Sequence, residues 1–572
     1  MRYLLTAVLF FLWLPTVLQG LLYHTYLWQL KEYRLDRMLD FYQTNRRMIL
    51  RNTLGWVGWS LVSLVFPVVG MLGLAGLALL VGRQFERHQL SRPVLTGKAI
   101  LTLAGGGITI LILLTGLVTF RALWWVLLPG GETLSPEMQT LTRGFVLLRA
   151  LIPVFVALTV GVIYLPSEIQ KRRIIRRAMG KVTAVHPQNI IGITGSYGKT
   201  STKTFLTTLL TAKYPTFSTA GGTNINIAIA QQILRDLKPA SAFPALPGAP
   251  NPGELQMVVE MAAYTKGEIA NICRTAPPNI GIWLAVNEQH LSLFGGIEGT
   301  VEAKYELIAA LPPDGLAILN GDDPRVMAKC AAWPGRKITF SLQDPTADYY
   351  PTDVRVEPEM LHFTIPRIGD SASQQTDQST PSTQFSVPLA GRHNLSNLLA
   401  AIAAAHAVGM SLPEIAEAAK AIRSLSGTLA PRKGRKGTVL IDSSYSSNPT
   451  GVRAALDYLA IFEGKKKVML FPGIIELGEE SDRIHRTLGV EIAKVCDVLI
   501  LIKEEFAEPL VAGVSSSPDA KTEVLRNLDA GEIFQRLERL AGRETVILFE
   551  GRGTGRFLEG MADDAKTFRD VG

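Results

Sequence analysis

The stretch Gly192-Ile-Thr-Gly-Ser-Tyr-Gly-Lys-Thr-Ser201 decides the fold of this chain beyond residue 182. It starts inside a short β-branched run, residues 189–194, and leads into residues 201–212, which have helical character. A glycine-rich stretch at a strand-to-helix turn is typical of a phosphate-binding loop. The glycines fall at 192, 195 and 198, which departs from the strict Walker spacing. A plain βα turn is therefore the alternative interpretation.

The residue types in this stretch suit a nucleotide triphosphate. Glycines let backbone N–H groups approach phosphate oxygens, and the helix N-terminus adds the positive end of its dipole. Lys199 would neutralise β- and γ-phosphate charge, and the Thr200 hydroxyl would bind Mg²⁺. The residues predicted to contact ATP are Gly195, Ser196, Tyr197, Gly198, Lys199, Thr200 and Ser201.

Four apolar stretches precede the loop, in residues 4–28, 54–81, 99–128 and 145–165. Each meets the requirement of about 20 residues for a helix that spans a membrane. The first continues without a small-residue cleavage site, so it is predicted to be an anchor and not a signal peptide. We therefore predict a membrane domain over residues 1–170, with the nucleotide domains on the cytosolic side, because ATP is cytosolic.

Charged flanks agree only partly with a simple arrangement of four spans. Residues 171–181 and 83–98 are basic, which fits the cytosolic side, and residues 130–142 carry two Glu and no Lys or Arg. The six Lys and Arg of residues 31–52 would then lie outside. One resolution is that residues 54–81, broken by Pro67 and Gly70, are re-entrant or peripheral. The sequence leaves both arrangements open.

Charge and cysteine usage narrow the class of partner. The net charge of +8 is concentrated partly beside the apolar stretches, which favours anionic lipid headgroups over nucleic acid. Cys273, Cys330 and Cys496 are far apart and lack the paired spacing of a metal site. They suit reduced cytosolic thiols, and no zinc site is predicted.

Beyond residue 182, β-branched runs alternate with helical stretches, which predicts α/β domains with parallel sheets. The predicted strands are residues 190–194, 256–260, 280–286, 316–319, 438–441, 467–471, 498–502 and 545–549. Helices at 394–409 and 413–425 end the first domain, so the domains are predicted at 182–427 and 428–572. Residues 368–386 are rich in Ser, Thr, Gln and Asp, which predicts a disordered insertion.

Three further residues suit metal or phosphate chemistry. Glu260 ends an apolar strand, His290 follows the next, and Lys304 lies in a predicted helix. A carboxylate at the C-terminal end of a parallel strand beside a phosphate loop is a suitable Mg²⁺ ligand. Taken singly, each residue has a simpler interpretation as a surface charge, a loop histidine or a solvated lysine.

Taken together, these motifs resemble the Mur ligase family, the ATP-dependent amide-forming enzymes of bacterial cell-wall synthesis. The resemblance covers nearly all of residues 182–572, and the closest branch adds D-alanyl-D-alanine to a UDP-N-acetylmuramoyl-tripeptide. The motifs in order are Thr-Gly-Ser-Tyr-Gly-Lys-Thr-Ser (194–201), Glu-Met-Ala-Ala-Tyr-Thr-Lys-Gly-Glu-Ile (260–269), His-Leu-Ser-Leu-Phe-Gly (290–295), Ala-Lys-Tyr-Glu (303–306), Leu-Asn-Gly-Asp-Asp-Pro (319–324), Gly-Arg-His-Asn-Leu-Ser-Asn (391–397) and Ile-Asp-Ser-Ser-Tyr-Ser-Ser-Asn-Pro (441–449).

The resemblance implies a P-loop central domain, a Rossmann-like C-terminal domain and two Mg²⁺ ions. It implies that Thr200 and Glu260 hold one ion, and that His290 and a carbamylated Lys304 hold the other. A carbamate turns a cationic amine into an anionic oxygen ligand, which suits a hard cation. The resemblance also implies the following ATP contacts: adenine with Asn394 and Asn397, γ-phosphate with Arg432, and ribose with Asp442 and Tyr445. Alternatively, the Asn residues only cap a helix and Arg432 is only solvated.

The implied mechanism is phosphorylation of a substrate carboxylate by ATP, followed by attack of an amine on the acyl phosphate. Mg²⁺, Lys199 and Arg432 would offset the repulsion between carboxylate and γ-phosphate. The C-terminal domain would close over the site, present the amine and exclude water.

The sequence also departs from the family. Membrane segments replace the N-terminal domain that grips the UDP-sugar, which would suit a lipid-linked acceptor at the inner leaflet. Ser443, Ser446 and Ala285 stand where that branch has Asp, Asn and Asn.

Three functions remain open on the sequence. They are a membrane-anchored ligase for a cell-wall precursor, a ligase for a poly-amino-acid or capsule chain, and a nucleotide unit that drives or regulates the membrane segments. Only Arg121 and Arg149 lie deep in the apolar stretches, which disfavours transport.

Overall fold

The computed structural model divides into two compact units, residues 1–173 and 174–572. It describes residues 2–30, 33, 38, 41, 58–63, 65–86, 92–119, 136–243, 254–263, 265–287, 296–366, 382–389, 391–424, 427, 429–444, 447–475, 477, 480–517 and 521–563.

The first unit is helical. Its elements are α1 (Arg2–Leu30), α2 (Pro67–Glu86), α3 (Gly97–Thr119), α4 (Pro136–Ala150) and the first half of α5 (Ile152–Val185). Among the described residues, four segments are long and apolar enough to cross a membrane: Ala7–Leu30, Pro67–Phe85, Gly97–Thr115 and Ile152–Val185. The fourth apolar stretch predicted from the sequence is divided, because α4 ends at Ala150 and α5 begins at Ile152. Pro153 then falls in the first turn of α5, where its missing N–H costs nothing.

Apolar and polar groups both pack inside this unit, and further large apolar groups face outward. The Trp13 ring stacks on Phe145 with centroids 4.6 Å apart, and Arg149 donates a hydrogen bond to Gln19 at 3.1 Å. Trp13 precedes Gln19 in α1, and their partners Phe145 and Arg149 follow in the same order in α4. The two helices therefore run in the same direction. The outward side chains include Phe11, Leu72, Ile112 and Leu158, all exposed. Such a distribution suits a lipid environment.

Helical residues 58–63 fold back on α2. Trp59 lies against Gly73, and a Cβ at Gly70 would lie 3.2 Å from Cβ of Ser63. The earlier residue, Trp59, meets the later glycine, and the later residue, Ser63, meets the earlier glycine. The two segments are therefore antiparallel and turn near Pro67. The predicted break at Gly70 is wrong, because Gly70 lies inside α2. It allows close packing instead, since a Cβ there would lie 3.0 Å from Thr142 of α4.

The described residues of the second unit form three sheets. A parallel sheet in the order β2-β3-β1-β4-β5-β6 lies in the first domain, and an antiparallel sheet β7-β8-β9 follows. The third sheet has the order β10-β11-β15-β12-β13-β14, parallel except for β10. The strands are β1 (Asn189–Thr194), β2 (Thr216–Ser218), β3 (Gln256–Glu260), β4 (Ile280–Trp283), β5 (Leu316–Asn320), β6 (Arg336–Phe340), β7 (Thr352–Val356), β8 (Leu361–Ile365), β9 (Thr383–Val387), β10 (Ala430–Lys433), β11 (Val439–Ser443), β12 (Lys466–Phe471), β13 (Val498–Leu501), β14 (Glu523–Leu525) and β15 (Thr545–Glu550).

Helices cover the parallel sheets, as the alternating sequence pattern predicts. They are α6 (Lys199–Thr211), α7 (Asn226–Asp236), α8 (Glu268–Thr275), α9 (Ile297–Ala309), α10 (Pro324–Cys330), α11 (His393–Val408), α12 (Leu412–Ala419), α13 (Pro449–Ala460), α14 (Ser481–Ala493), α15 (Ala507–Ser515), α16 (Ala530–Leu540) and α17 (Gly555–Met561). The second half of α5 also joins the first domain, because Ala178 and Val182 are buried in its core. Lys181 anchors it through a hydrogen bond to the Leu234 carbonyl at 2.7 Å.

A strand is present at each of the eight predicted positions, but the one predicted over residues 280–286 ends at Trp283. The prediction of disorder over 368–386 is wrong at its C-terminal end, because β9 begins at Thr383. Phe385 of β9 is buried against Phe363 of β8, with stacked rings 4.9 Å apart, which stabilises the pairing. Residues 368–381 lie outside the described residues.

Candidate active site

The phosphate loop joins β1 to α6 and depends on two close backbone approaches. Gly198 is the N-cap of α6 with φ +78°, a conformation that favours glycine. A Cβ at Gly198 would also overlap the Asn397 amide of α11, and a Cβ at Gly195 would lie 2.9 Å from Cβ of Leu284. The glycines therefore hold the loop between β4 and α11.

The half-buried Lys199 and the buried Lys304 converge on one carbonyl of this loop. Lys199 donates to the Gly195 carbonyl at 2.7 Å, and Lys304 of α9 donates to the same oxygen at 3.1 Å. Burial lowers the pKa of Lys199, although Glu260 opposes the shift. Burial, and then the charge of Lys199, hold the pKa of Lys304 well below its ordinary value. Lys304 is thus the lysine that the site favours as a neutral amine.

The Glu260 carboxylate, at the C-terminal end of β3, faces the first turn of α6. Thr200 donates to it at 3.0 and 3.1 Å, and Lys203 and Asn224 donate at 3.0 and 3.1 Å. Glu260 is 1% exposed. The hydroxyl of Thr200 and this carboxylate form an oxygen donor pair that fits the ligand preference of Mg²⁺.

Sequence reasoning missed Lys203 and Asn224. Lys203 stands one helical turn after Lys199 and Thr200, so helical spacing could have placed it on the same face. Asn224 lies in an irregular stretch between β2 and α7, where the sequence carries no comparable signal. His290, the predicted partner of Lys304, lies outside the described residues.

The two predicted adenine residues lie within α11. Asn394 and Asn397 are buried, and α11 has Arg392 as its N-cap without a side-chain capping hydrogen bond. Helix capping therefore does not explain the pair. The contact between Asn397 and Gly198 places α11 against the phosphate loop.

The predicted ATP residues of the C-terminal domain are held by local partners. Arg432 of β10 forms an ion pair with Glu559 at 2.7 Å. It is therefore not merely solvated. Asp442 accepts hydrogen bonds from the Gly427 N–H at 2.8 Å and from the Ser444 hydroxyl at 2.6 Å. Tyr445 lies outside the described residues.

A chain of hydrogen bonds links the two domains at the phosphate loop. The Asn287 N–H donates to the Ser196 hydroxyl at 3.1 Å, and the Asn287 amide donates to Asn448 at 3.0 Å. Asn448 is also the N-cap of α13 and accepts from the Gly451 N–H at 3.0 Å. Sequence reasoning did not assign Asn287, and it quoted Asn448 only as part of a motif.

Comparison with known families agrees with this geometry. The Mur ligase middle domain matches residues 193–405, and the Mur ligase glutamate ligase domain matches residues 429–553. The UDP-N-acetylmuramoyl-tripeptide–D-alanyl-D-alanine ligase of Escherichia coli is 30% identical over 371 residues, which covers 64% of this chain and 74% of the relative. The enzyme of the same name from Bacillus subtilis is 30% identical over 376 residues, which covers 66% and 75%.

Solved structures show the same fold. MurF from Acinetobacter baumannii superposes with a TM-score of 0.57 at 25% identity and covers 68% of this chain and 79% of its own. MurF from Thermotoga maritima, solved with ADP, gives a TM-score of 0.57 at 24% identity and covers 68% and 82%. The chain belongs to the Mur ligase family of ATP-dependent, ADP-forming ligases.

Proposed function

We propose that this protein is a membrane-anchored ligase that joins an amino acid or dipeptide to the carboxylate of a peptidoglycan precursor. The observation that carries the proposal is the convergence of Lys199, Lys304 and the Thr200–Glu260 pair around the phosphate loop. The similarity to two UDP-N-acetylmuramoyl-tripeptide–D-alanyl-D-alanine ligases supports the substrate class.

Each group has a defined role in the proposed reaction. ATP transfers its γ-phosphate to the acceptor carboxylate, and the resulting acyl phosphate is attacked by the amine. Mg²⁺, when held by Thr200 and Glu260, would neutralise phosphate charge. Lys199 would stabilise the charge that spreads over the transferred phosphoryl group. Lys203 balances the Glu260 carboxylate and keeps its oxygens directed at Thr200.

Lys304 is proposed to carry a carbamate and, with His290, to hold a second Mg²⁺. The lowered pKa of Lys304 leaves its nitrogen lone pair free to attack CO₂, with loss of one proton to solvent. The product is an anion, so it would replace repulsion between Lys304 and Lys199 by attraction.

ATP is proposed to extend from the phosphate loop along α11, with adenine near Asn394 and Asn397. The packing of Asn397 on Gly198 supports this wall of the site. Arg432 would reach the γ-phosphate by exchanging its ion pair with Glu559, while Asp442 and Tyr445 would face the ribose.

We also propose an arrangement in the inner membrane that satisfies the charged flanks. α1 enters the cytosol at its C-terminal end, and the antiparallel pair formed by residues 58–63 and α2 is a re-entrant hairpin. α3 then leaves and α4–α5 returns, which keeps residues 31–52, 83–98 and 171–181 on the cytosolic side. A lipid-linked acceptor would be exposed on the same, cytosolic side of the membrane as the nucleotide domains.

Phosphate release from ATP tests the activity. Detergent-solubilised protein with Mg²⁺ and bicarbonate is given UDP-linked or lipid-linked muropeptides, with and without D-alanyl-D-alanine. Release should need both substrates and fall roughly a hundredfold or more in Lys199→Ala and Lys304→Ala. Lys213→Ala is the matched control, because Lys213 pairs with exposed Glu414 on the same domain. Release without dependence on either substrate would contradict the proposal.

Cysteine labelling tests the membrane arrangement. The three native cysteines are buried, so single added cysteines can be read against a low background. In intact cells an impermeant maleimide should label Glu132→Cys but not Thr44→Cys. Labelling of Thr44→Cys from outside would instead indicate four simple spans.

A further inference from the structure

Glu550 is a buried carboxylate that the proposed mechanism leaves without a role. It ends β15, between β11 and β12 in the C-terminal sheet, and is 0% exposed. Ligands of parallel α/β sheets bind at this C-terminal edge.

The Glu550 carboxylate is only partly satisfied. The Ser447 hydroxyl donates to Oε1 at 2.7 Å, and Ser443 also bonds the side chain. Within the described residues, Oε2 is buried and has no hydrogen-bond partner. Burial raises the pKa of Glu550 to about 7, against the opposing effect of the two hydroxyls. An apolar side chain would avoid this cost, so packing alone does not explain a glutamate here.

The charged residues on the elements next to Glu550 either bond other groups or lie further along the chain. Asp442 of β11 bonds Gly427 and Ser444, and Arg453 of α13 pairs with Glu491. Arg552 lies two residues beyond Glu550, and the adjacent end of β12 is the uncharged Phe471.

Glu550 is connected to the phosphate loop through few groups. Its partner Ser447 precedes Asn448, which bonds Asn287 of the first domain, and Asn287 bonds Ser196. The carboxylate therefore lies on the side of the C-terminal domain that faces the ATP site.

Ser443 and Glu550 lie side by side at this edge. The parallel register sets Ser443 of β11 directly beside Glu550 of β15. At these two strand ends the sheet therefore carries one hydroxyl and one carboxylate.

We propose that Glu550 receives the incoming amine and accepts one of its protons. The inference rests on the proposed ligase function and names the amine-binding group of the same site. The substrate ammonium gives one proton to Glu550, and its nitrogen attacks the acyl carbon. The C–N bond forms, the C–O bond to phosphate breaks, and the phosphate leaves with that electron pair. The second proton of the nitrogen leaves with the phosphate. Amine access requires movement of the side chains that bury Glu550, Ser447 among them.

The use of hydroxylamine as the amine separates proton transfer to Glu550 from the earlier formation of the acyl phosphate. Hydroxylamine is largely neutral at neutral pH, so it traps an acyl phosphate as a hydroxamate without needing a base. The full-length protein is assayed with ATP, Mg²⁺ and the muropeptide, with either hydroxylamine or D-alanyl-D-alanine as the amine. Glu550→Gln should keep hydroxamate formation and lose amide formation by roughly 10²- to 10⁴-fold. Glu523→Gln, an exposed carboxylate of the same domain, should change neither rate.

The pH dependence of kcat/KM gives a second test, and a purely structural role of Glu550 would not change it. For the dipeptide, kcat/KM of the wild type should rise through pH about 7, the pKa of Glu550. Ser447→Ala removes a hydrogen bond to the charged form of Glu550 and should therefore raise its pKa further. The rise in kcat/KM should then occur at higher pH.

Three results would overturn the inference. They are equal loss of both products in Glu550→Gln, retention of both, or an unchanged pH dependence of kcat/KM in Ser447→Ala. A wild type that forms neither product would overturn the proposed ligase function as well. If it formed the hydroxamate but no amide, the acyl-phosphate step would stand and the assigned amine would be wrong.

Discussion

Glu260 and Glu550 occupy equivalent places in two α/β domains, yet their surroundings differ. Each ends a parallel strand and is almost completely buried. Glu260 accepts hydrogen bonds from Thr200, Lys203 and Asn224, and one of these donors is a cation. Glu550 has hydroxyl partners only, and one of its oxygens is unpartnered among the described residues. The fold supplies the position, whereas the neighbouring side chains determine the charge that the position can hold.

Removal of the cation beside Glu260 should have the largest effect. Lys203→Met leaves a buried carboxylate without its ion-pair partner, which costs about 3–5 kcal/mol of unfolding free energy. Denaturant unfolding, followed by a probe in the first domain, measures the change. Lys329→Met breaks an exposed pair with Glu302 and should cost less than about 1 kcal/mol. Equal losses in the two variants would contradict the distinction between the buried and exposed pairs.

Neutralising Glu550 should act in the opposite direction at alkaline pH. The pKa is raised from 4.5 to about 7, so the carboxyl group contributes stability below pH 4.5 that is lost as the pH rises through 7. The lost contribution is about 3 kcal/mol. Glu550→Gln should therefore be more stable than the wild type at pH 8 and should flatten the pH dependence of unfolding. A less stable variant at pH 8 would show that the charged carboxylate of Glu550 is well solvated.

The hydrogen bond between the domains should have the smallest effect. Asn287→Ala, Asn448→Ala and the double variant form a mutant cycle around the 3.0 Å contact. A coupling of about 1 kcal/mol in unfolding free energy is expected for one neutral hydrogen bond. Asn448→Ala alone should cost more than Asn287→Ala, because it also removes the N-cap of α13. Additive losses would mean that the contact does not couple the domains.

Local features of the site were predictable from the sequence. The strand, loop and helix around Lys199 follow from β-branched residues, glycines and helical character within a few positions of one another. The contact of Lys304 with Gly195 spans 109 positions, and no local pattern contains it. Asn224 was missed for the same reason, since its role depends on which strand lies beside β1. Helical spacing could have placed Lys203 on the face of Lys199 and Thr200, but not opposite Glu260.

The membrane half shows a similar division. Composition predicts apolar helices, but it also suggests a break at Gly70 that α2 does not have. Whether a glycine breaks a helix or permits close packing depends on the neighbouring helix. Here a Cβ at Gly70 would lie 3.0 Å from Thr142, so this glycine permits close packing against α4.

The sequence by itself determined the phosphate loop, the predicted strands, the apolar helices and the family resemblance, because these depend on residue types at short and regular spacing. Only the tertiary structure decided which polar groups meet. Two lysines donate to the Gly195 carbonyl, three donors bond Glu260, and one oxygen of Glu550 has no partner among the described residues. Strand order and helix packing bring these groups together across long chain separations. Their pKa values and partners then follow from burial and distance, which a linear sequence does not contain.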